Sequence, residues 1–109
     1  MVIDVSEASF AQEVLERSLT TAVIVDFWAA WCAPCRAVGP VLEQAVEAHQ
    51  GEVVLAKVDV DANPQTAQQF GVMSIPTLMV FNNGSLEKRL VGARSKGQLL
   101  AELAQFIGG

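Results

Sequence analysis

Two nearly continuous apolar runs constrain the fold of this chain more than any other feature. The run AVIVDFW occupies residues 22–28 with Asp26 as its one charge, and VVLAKVDV at residues 53–60 begins with four apolar residues before Lys57. Strands whose successive side chains are apolar are covered on both faces, as in the parallel sheets of α/β proteins. The two runs therefore predict buried parallel strands with helices on both faces of the sheet.

Shorter patterns predict the remaining elements. Strand-like runs occur at residues 2–5, 77–81 and 86–91, and apolar residues follow helical spacing at 6–18, 34–50, 63–70 and 95–107. The segment NNGS separates the last two strands, and Asn and Gly tolerate the positive φ of a tight hairpin, so these strands should be antiparallel. The order of elements predicts an α/β fold in which a mixed sheet of five strands is flanked by four helices.

Local signals refine two of the predicted helices. Ser6 or Ser9 is the expected N-cap of the first helix, because a serine hydroxyl can accept a hydrogen bond from a free amide of the first turn. Pro40 lies inside the second helix, where it removes one backbone hydrogen bond, and it predicts a bend near Arg36.

Composition limits the classes of function. The chain has 109 residues, of which 51% are hydrophobic, so we expect one domain over residues 1–109 that buries its own core. A formal net charge of −5 argues against binding to nucleic acid or to an anionic membrane. The chain has no basic start followed by a long apolar block, and no run approaches the ~18 apolar residues of a membrane span. We expect a cytoplasmic monomer.

The only two cysteines, Cys32 and Cys35, lie three positions apart in FWAAWCAPC. Such a pair can clip a metal, staple the chain or catalyse redox chemistry, and in a reducing compartment catalysis or metal binding is commoner than a staple. Zinc requires four ligands, and the only histidine, His49, lies about four turns along the helix that begins near Cys35. We therefore expect no metal within one chain and interpret His49 as a solvated residue near a helix C-terminus; a metal shared by two chains stays an alternative.

The placement of the cysteines favours redox catalysis. Pro34 suits the first turn of a helix, which leaves Cys32 just before the helix and Cys35 inside its first turn. Free amides and the helix dipole stabilise a thiolate at Cys32, and Arg36 adds a nearby positive charge. Cys32 is thus the expected nucleophile toward a substrate disulfide, and Cys35 is the expected resolving thiol, more buried and in need of a base.

Asp26 is the candidate base for Cys35, because it is the one charge in a strand that should be buried on both faces. The alternative is an ordinary surface position at a strand end. Lys57, on the expected neighbouring strand, can pair with Asp26 and connect it to solvent. An alternative of nearly equal weight is that Lys57 extends its amine to water and has no role beside Asp26.

Three segments together resemble the thioredoxin family: DFWAAWCAPCR, SIPT at residues 74–77 and Gly92 after the last strand. The resemblance covers essentially the whole chain. It implies a thioredoxin fold and a general protein disulfide reductase that holds no bound cofactor and takes electrons from NADPH through thioredoxin reductase. It also implies that Asp26 and Lys57 are the buried pair of the family and that Pro76 is its cis-proline.

The resemblance implies a client-binding surface, and the chain departs from the family pattern between its cysteines. An apolar patch that binds client proteins maps onto Trp31, Val60, Ile75, Gly92 and Ala93, next to Pro76, with Trp28 in the core. Between the cysteines the family usually has Gly-Pro, whereas this chain has Ala33 and Pro34, the dipeptide that tunes the redox potential. We expect Ala33 to shift the potential by at most a few tens of millivolts, since about 30 mV corresponds to about 1.4 kcal/mol.

Two rival functions fit the same residues. The first is an oxidase or isomerase on the same scaffold, which equilibrium with a glutathione buffer separates from a reductase. The second is a non-redox binding or holdase module that uses the apolar patch alone.

Overall fold

The computed structural model describes residues 1–107 and confirms the α/β class with a five-stranded mixed sheet. The strands are β1 (Val2–Asp4), β2 (Ala22–Trp28), β3 (Val53–Asp59), β4 (Thr77–Asn82) and β5 (Ser85–Val91). The α-helices are α1 (Ala33–Glu47), α2 (Pro64–Gln69) and α3 (Lys96–Leu103). A fourth helical segment, Ala11–Glu16 followed by Arg17–Leu19, lies between β1 and β2. No helix within residues 1–107 is long and apolar enough to cross a membrane.

The sheet has the order β1-β3-β2-β4-β5, with β2 in the middle. Strand β3 is parallel to both β1 and β2, whereas β4 is antiparallel to β2 and to β5. Because β2 is paired on both edges and covered on both faces, its residues from Ala22 to Phe27 are all buried. The parallel register pairs Asp26 with Lys57, so the two charged side chains project from the same face of the sheet.

Each face of the sheet carries its own half of the core. On one face Ile24 and Leu55 pack with Leu42 of α1 and Leu103 of α3. On the other face Phe10 lies directly before the N-terminal helical segment, Phe70 follows α2, and Phe81 comes from β4; the ring centroids of these three lie 5.0 to 6.0 Å apart. Phe81 meets each of the other two rings edge to face, and such contacts add to the hydrophobic stabilisation.

The predicted hairpin is confirmed. Asn83 and Gly84 form the two-residue connection between β4 and β5 with φ values of 54° and 81°. Both residues therefore lie in the left-handed region that a tight hairpin of this length requires.

The first helix differs from its prediction over residues 6–18. It has π geometry at Ala11–Glu16 and 3₁₀ geometry at Arg17–Leu19. Neither Ser6 nor Ser9 caps it: Phe10 occupies the N-cap without a side-chain bond, and the Ser9 hydroxyl accepts from the backbone amide of Ser6 at 3.0 Å. A local serine turn thus replaces the expected cap, since short polar side chains compete for nearby backbone groups.

The last helix is shorter than the predicted 95–107. Helix α3 begins after Ser95, which forms a reciprocal capping box with Gln98, and its last residue is Leu103. Beyond it the chain continues in turns, and Phe106 remains buried in the core. Gly108 and Gly109, the predicted tail, lie outside the described residues. Helix α1 runs through Pro40, so the bend near Arg36 stays a prediction.

Candidate functional site

The two cysteines form a disulfide at the start of α1. Cys32 is the N-cap residue with extended backbone angles, and Pro34 occupies the first turn, as the sequence predicted. The backbone amide of Cys35 donates a hydrogen bond to Sγ of Cys32 at 3.2 Å. A sulfur in this position lies at the positive end of the helix dipole and receives an amide proton, and both features favour the thiolate after reduction.

Both sulfur-bearing residues are buried in the disulfide state. Cys32 is 4% exposed and Cys35 is 2% exposed, so the predicted difference in burial between them is small. They pack with the buried Ala29, and Val60, Ile75 and Trp28 pack against this cluster. Trp28, expected in the core, is only partly buried. Val60 and Ile75 are half-buried, so this side of the cluster is partly open to solvent.

The SIPT segment and the end of β5 are held together beside the disulfide. The peptide bond between Ile75 and Pro76 is cis, as the resemblance implied. The amide of Gly92 donates to the carbonyl oxygen of Pro76 at 2.9 Å, and the Thr77 hydroxyl donates to the carbonyl of Ser74 at 2.6 Å. Gly92 has φ 91°, a conformation that residues with a Cβ rarely adopt, which explains why glycine is present there.

An apolar groove of about 370 Å³ lies next to the disulfide. Its lining residues are Trp31, Val60, Ala67, Val72, Met73, Ser74 and Ile75. Trp31 and Met73 are the most open of the larger side chains, with exposed fractions of 67% and 96%. The indole Nε1 of Trp31 donates to Oδ2 of Asp61 at 2.9 Å and so fixes the ring at the edge of the groove.

The structure unites some of the predicted patch residues and separates others. Trp31, Val60 and Ile75 line the groove together, whereas Ala93 lines a different depression with Arg94 and Glu102. Sequence reasoning missed Val72, Met73 and Asp61. The first two were detectable as an apolar pair directly before SIPT, whereas nothing in the sequence indicates the bond between Asp61 and Trp31.

Asp26 is completely buried, and its two carboxylate oxygens have no hydrogen-bond partner among residues 1–107. Burial without compensating hydrogen bonds penalises the charged form and raises the pKa of Asp26 to about 7. The positive charge of Lys57 lowers this pKa and the negative charge of Glu43 raises it, but neither outweighs the desolvation. The surface alternative for Asp26 is thus wrong, because the residue is inaccessible to solvent.

Lys57 lies close to Asp26 in the sheet but makes its ion pair elsewhere. Its Nζ lies 3.6 Å from Oε2 of Glu43 on α1 and 5.1 Å from the centroid of the Trp28 ring. The Lys57 side chain is 21% exposed, so the amine is only partly withdrawn from water. Lys57 therefore acts on Asp26 through its charge, while its direct partner is a glutamate that sequence reasoning missed.

A small cavity of about 220 Å³ joins these groups. Its lining residues are Asp26, Trp28, Cys35, Arg36, Gly39, Pro40, Glu43 and Lys57. A carboxyl group with a pKa near neutrality, the second cysteine and a charged pair therefore border one space, an arrangement suited to proton transfer at neutral pH.

Within residues 1–107 no group of three or more His, Cys, Asp and Glu side chains is arranged to hold a metal ion. His49 follows α1, where its Nδ1 lies 3.2 Å from Oε2 of Glu52 on the protein surface.

Comparison with known proteins places the chain among disulfide oxidoreductases. The family model described as Thioredoxin matches residues 1–105. The chain is 50% identical over 105 residues to a thioredoxin of Mycobacterium tuberculosis strain H37Rv, covering 96% of this chain and 89% of the relative. It is 45% identical over 103 residues to a thioredoxin of Synechocystis, covering 94% of each chain.

A third relative is longer than this chain. The bifunctional thioredoxin reductase/thioredoxin of Mycobacterium leprae is 45% identical over 107 residues, which are 98% of this chain and 23% of that protein.

Proposed function

The chain belongs to the thioredoxin family and is a protein disulfide reductase, and we propose that it reduces client proteins by a two-step exchange through Cys32 and Cys35. The observation that carries the proposal is the position of the pair: its first sulfur lies at the N-terminus of α1 beside an apolar groove, and its second borders the cavity of Asp26.

In the first step the Cys32 thiolate attacks a client disulfide. A bond forms between Sγ of Cys32 and one client sulfur, and the other client sulfur leaves as a thiolate. The amide of Cys35 and the dipole of α1 stabilise the attacking thiolate relative to the thiol.

In the second step Cys35 resolves the mixed disulfide. Asp26 accepts the proton of the Cys35 thiol, the new thiolate attacks Sγ of Cys32, and the client sulfur leaves carrying both electrons of the broken bond. The two residues border one cavity, so the proton can pass directly or through water. A base whose pKa is about 7 is partly ionised at neutral pH and is also strong enough to take the proton.

The groove is the proposed binding site for an extended segment of the client. Trp31, Val60 and Ile75 supply apolar contacts, and the backbone of Ile75, next to Pro76, offers hydrogen bonds to a client strand. Gly92 is hydrogen-bonded to Pro76 of the SIPT segment, and we expect Gly92 and Ala93 to contact a client that extends beyond the groove.

Electrons reach the pair from NADPH through a thioredoxin reductase, with no cofactor bound to this chain. The M. leprae relative, whose name joins a thioredoxin reductase to a thioredoxin, supports such a partnership. The proposal places the protein in the cytoplasm as a monomer, with residues 1–109 forming one domain and with Ala33 and Pro34 setting the redox potential.

Reduction of insulin, coupled to NADPH through a thioredoxin reductase, tests this function. We expect catalytic consumption of NADPH that Cys32→Ser abolishes, whereas Cys35→Ser should accumulate a covalent mixed disulfide between Cys32 and the client. Insulin reduction that is no faster than the reductase alone would overturn the proposal.

A further inference from the structure

Glu43 completes the set of charged groups around the Asp26 cavity. It lies on α1, and its carboxylate oxygen approaches Nζ of Lys57 to 3.6 Å, the one ion pair of that lysine within residues 1–107. The Glu43 side chain is 37% exposed and that of Lys57 is 21% exposed, so the pair lies at the solvent side of the cavity.

The backbone of α1 is shaped to receive this pair. Gly39 lies one turn before Glu43, and a Cβ added there would lie 3.7 Å from Oε2 of Glu43 and 3.8 Å from Nζ of Lys57. Both charged ends therefore converge above a residue without a side chain. Nζ of Lys57 also lies over the Trp28 ring, 5.1 Å from its centroid, a cation–π contact that further restricts the amine.

The same geometry draws Lys57 away from Asp26. The register of β2 and β3 places the two residues side by side, yet the Asp26 carboxylate has no hydrogen-bond partner among residues 1–107. If the Glu43 carboxylate were absent, Lys57 would lose the ion pair that competes with Asp26 for its amine, and the contact with the Trp28 ring of β2 would remain.

We propose that Glu43 is a positioning residue for the exchange reaction: it holds Lys57 at the solvent side of the cavity and thereby keeps Asp26 a strong proton acceptor for Cys35. The inference rests on the proposed function of Asp26 for its catalytic consequence. The coupling between Glu43, Lys57 and Asp26 can be measured without catalysis.

The groups that face Asp26 determine the sign of the effect. Helix α1 contributes Cys35, Arg36 and Glu43 to the cavity, β3 contributes Lys57, and β4 places the apolar Leu78 opposite Asp26. Removal of the Glu43 charge deletes a negative group and frees Lys57 to approach, and both changes favour the ionised form of Asp26. The pKa of Asp26 should therefore fall in Glu43→Gln.

Titration of the Asp26 carboxyl by carbon NMR or infrared difference spectroscopy, in the oxidised protein where neither cysteine titrates, tests the coupling. We expect the midpoint in Glu43→Gln to fall by about half a pH unit or more. Glu47→Gln is the matched control, because it removes the same charge one turn further along α1 from an exposed position. An unchanged midpoint in Glu43→Gln, or equal shifts in both variants, would overturn the proposal.

A second titration asks whether Glu43 acts through Lys57. In a Lys57→Met background the shift caused by Glu43→Gln should be clearly smaller than in the wild-type background, since no amine remains to be released. An equal shift in both backgrounds would mean that Glu43 acts on Asp26 only as a distant charge, and the positioning role would be wrong.

The kinetic test measures release of the client from the Cys32 mixed disulfide as a function of pH. Because only the ionised carboxylate accepts a proton, a midpoint lower by half a unit enlarges the ionised fraction of Asp26 by up to about threefold at pH values well below the midpoint. Above the midpoint, where the carboxylate is ionised in both proteins, the weaker base of Glu43→Gln should release the client more slowly than wild type. In an Asp26→Asn background Glu43→Gln should cause no such change; a similar change there would mean an effect on the thiols and contradict the proposal. Failure of insulin reduction would overturn the proposed function, whereas the carboxyl titrations still decide on Glu43.

Discussion

Asp26 and Lys57 are register partners on β2 and β3, but the amine of Lys57 pairs with Glu43, and the Asp26 carboxylate has no hydrogen-bond partner among residues 1–107. A carboxyl group in this environment costs free energy whenever it is ionised. The protein therefore carries a destabilising group in the cavity that Cys35 also borders, and this cost has a defined dependence on pH.

The first prediction concerns stability. The pKa of Asp26 is about 7 in the folded protein against 3.8 for an ordinary aspartate, so the folded state binds more protons between these values. Below the unfolded pKa, Asp26 does not lower the free energy of unfolding. As the pH rises through about 7, the free energy of unfolding falls because of this group by on the order of 4 kcal/mol. Asp26→Ala should lack this loss and be more stable at pH 8 by about 2 to 4 kcal/mol.

Guanidinium unfolding of the oxidised protein at pH 4.5 and pH 8 measures the effect. Asp4→Ala is the control, because it removes an aspartate from an exposed position in β1 and should change stability by less than about 0.5 kcal/mol at either pH. An Asp26→Ala variant that is less stable than wild type at pH 8 would contradict the buried-base interpretation.

The second prediction concerns a helix cap made by a distant residue. Oε2 of Glu7 accepts hydrogen bonds from the backbone amides of Gln65 and Thr66 at 2.6 and 3.1 Å, so it satisfies the free donors at the start of α2. Glu7→Ala should destabilise the protein by about 1 kcal/mol, in the range of lost N-caps. Glu16→Ala, which removes an exposed glutamate from the N-terminal helical segment, should cost less in the same unfolding measurement.

Structural features that depend on a local sequence pattern could be predicted from the sequence. The apolar runs of β2 and β3 are visible because burial on both faces leaves almost no polar position. The turn at Asn83 and Gly84 is visible because few residues accept positive φ. Pro34 and the two cysteines were placed correctly at the start of α1, because proline is favoured in the first turn of a helix.

Contacts between residues that lie far apart in the sequence could not be predicted. Glu7 and Gln65 are 58 positions apart, and Trp31 and Asp61 are 30 apart, so no periodicity relates them. Glu43 appeared as one more polar position on an amphipathic helix, and only the packing of α1 against β3 brings it to Lys57. The prediction of the N-cap of the first helix failed for a different reason, because Ser6 and Ser9 hydrogen-bond to each other instead of capping the helix.

The third prediction concerns the rim of the groove. The bond from Trp31 to Asp61 is exposed, so it contributes little to global stability but fixes a ring that is 67% exposed. Asp61→Ala should leave unfolding within about 0.5 kcal/mol of wild type and lower kcat/KM for insulin by about twofold to fivefold, mainly through KM. An unchanged KM would mean that the orientation of Trp31 does not matter for client binding.

The last prediction separates client binding from thiol chemistry. Met73 lines the groove and is 96% exposed, so its side chain contributes apolar contact to a client and almost nothing to the core. Met73→Asp should lower kcat/KM for insulin by about threefold to tenfold, since a client segment would have to desolvate a charge, whereas Met73→Leu should retain most of the activity. Reduction of a small aromatic disulfide, which needs no groove, should be nearly equal in all three proteins. Equal loss toward the small disulfide and insulin in Met73→Asp would show that the substitution disturbs the cysteines themselves and that the groove is not where clients bind.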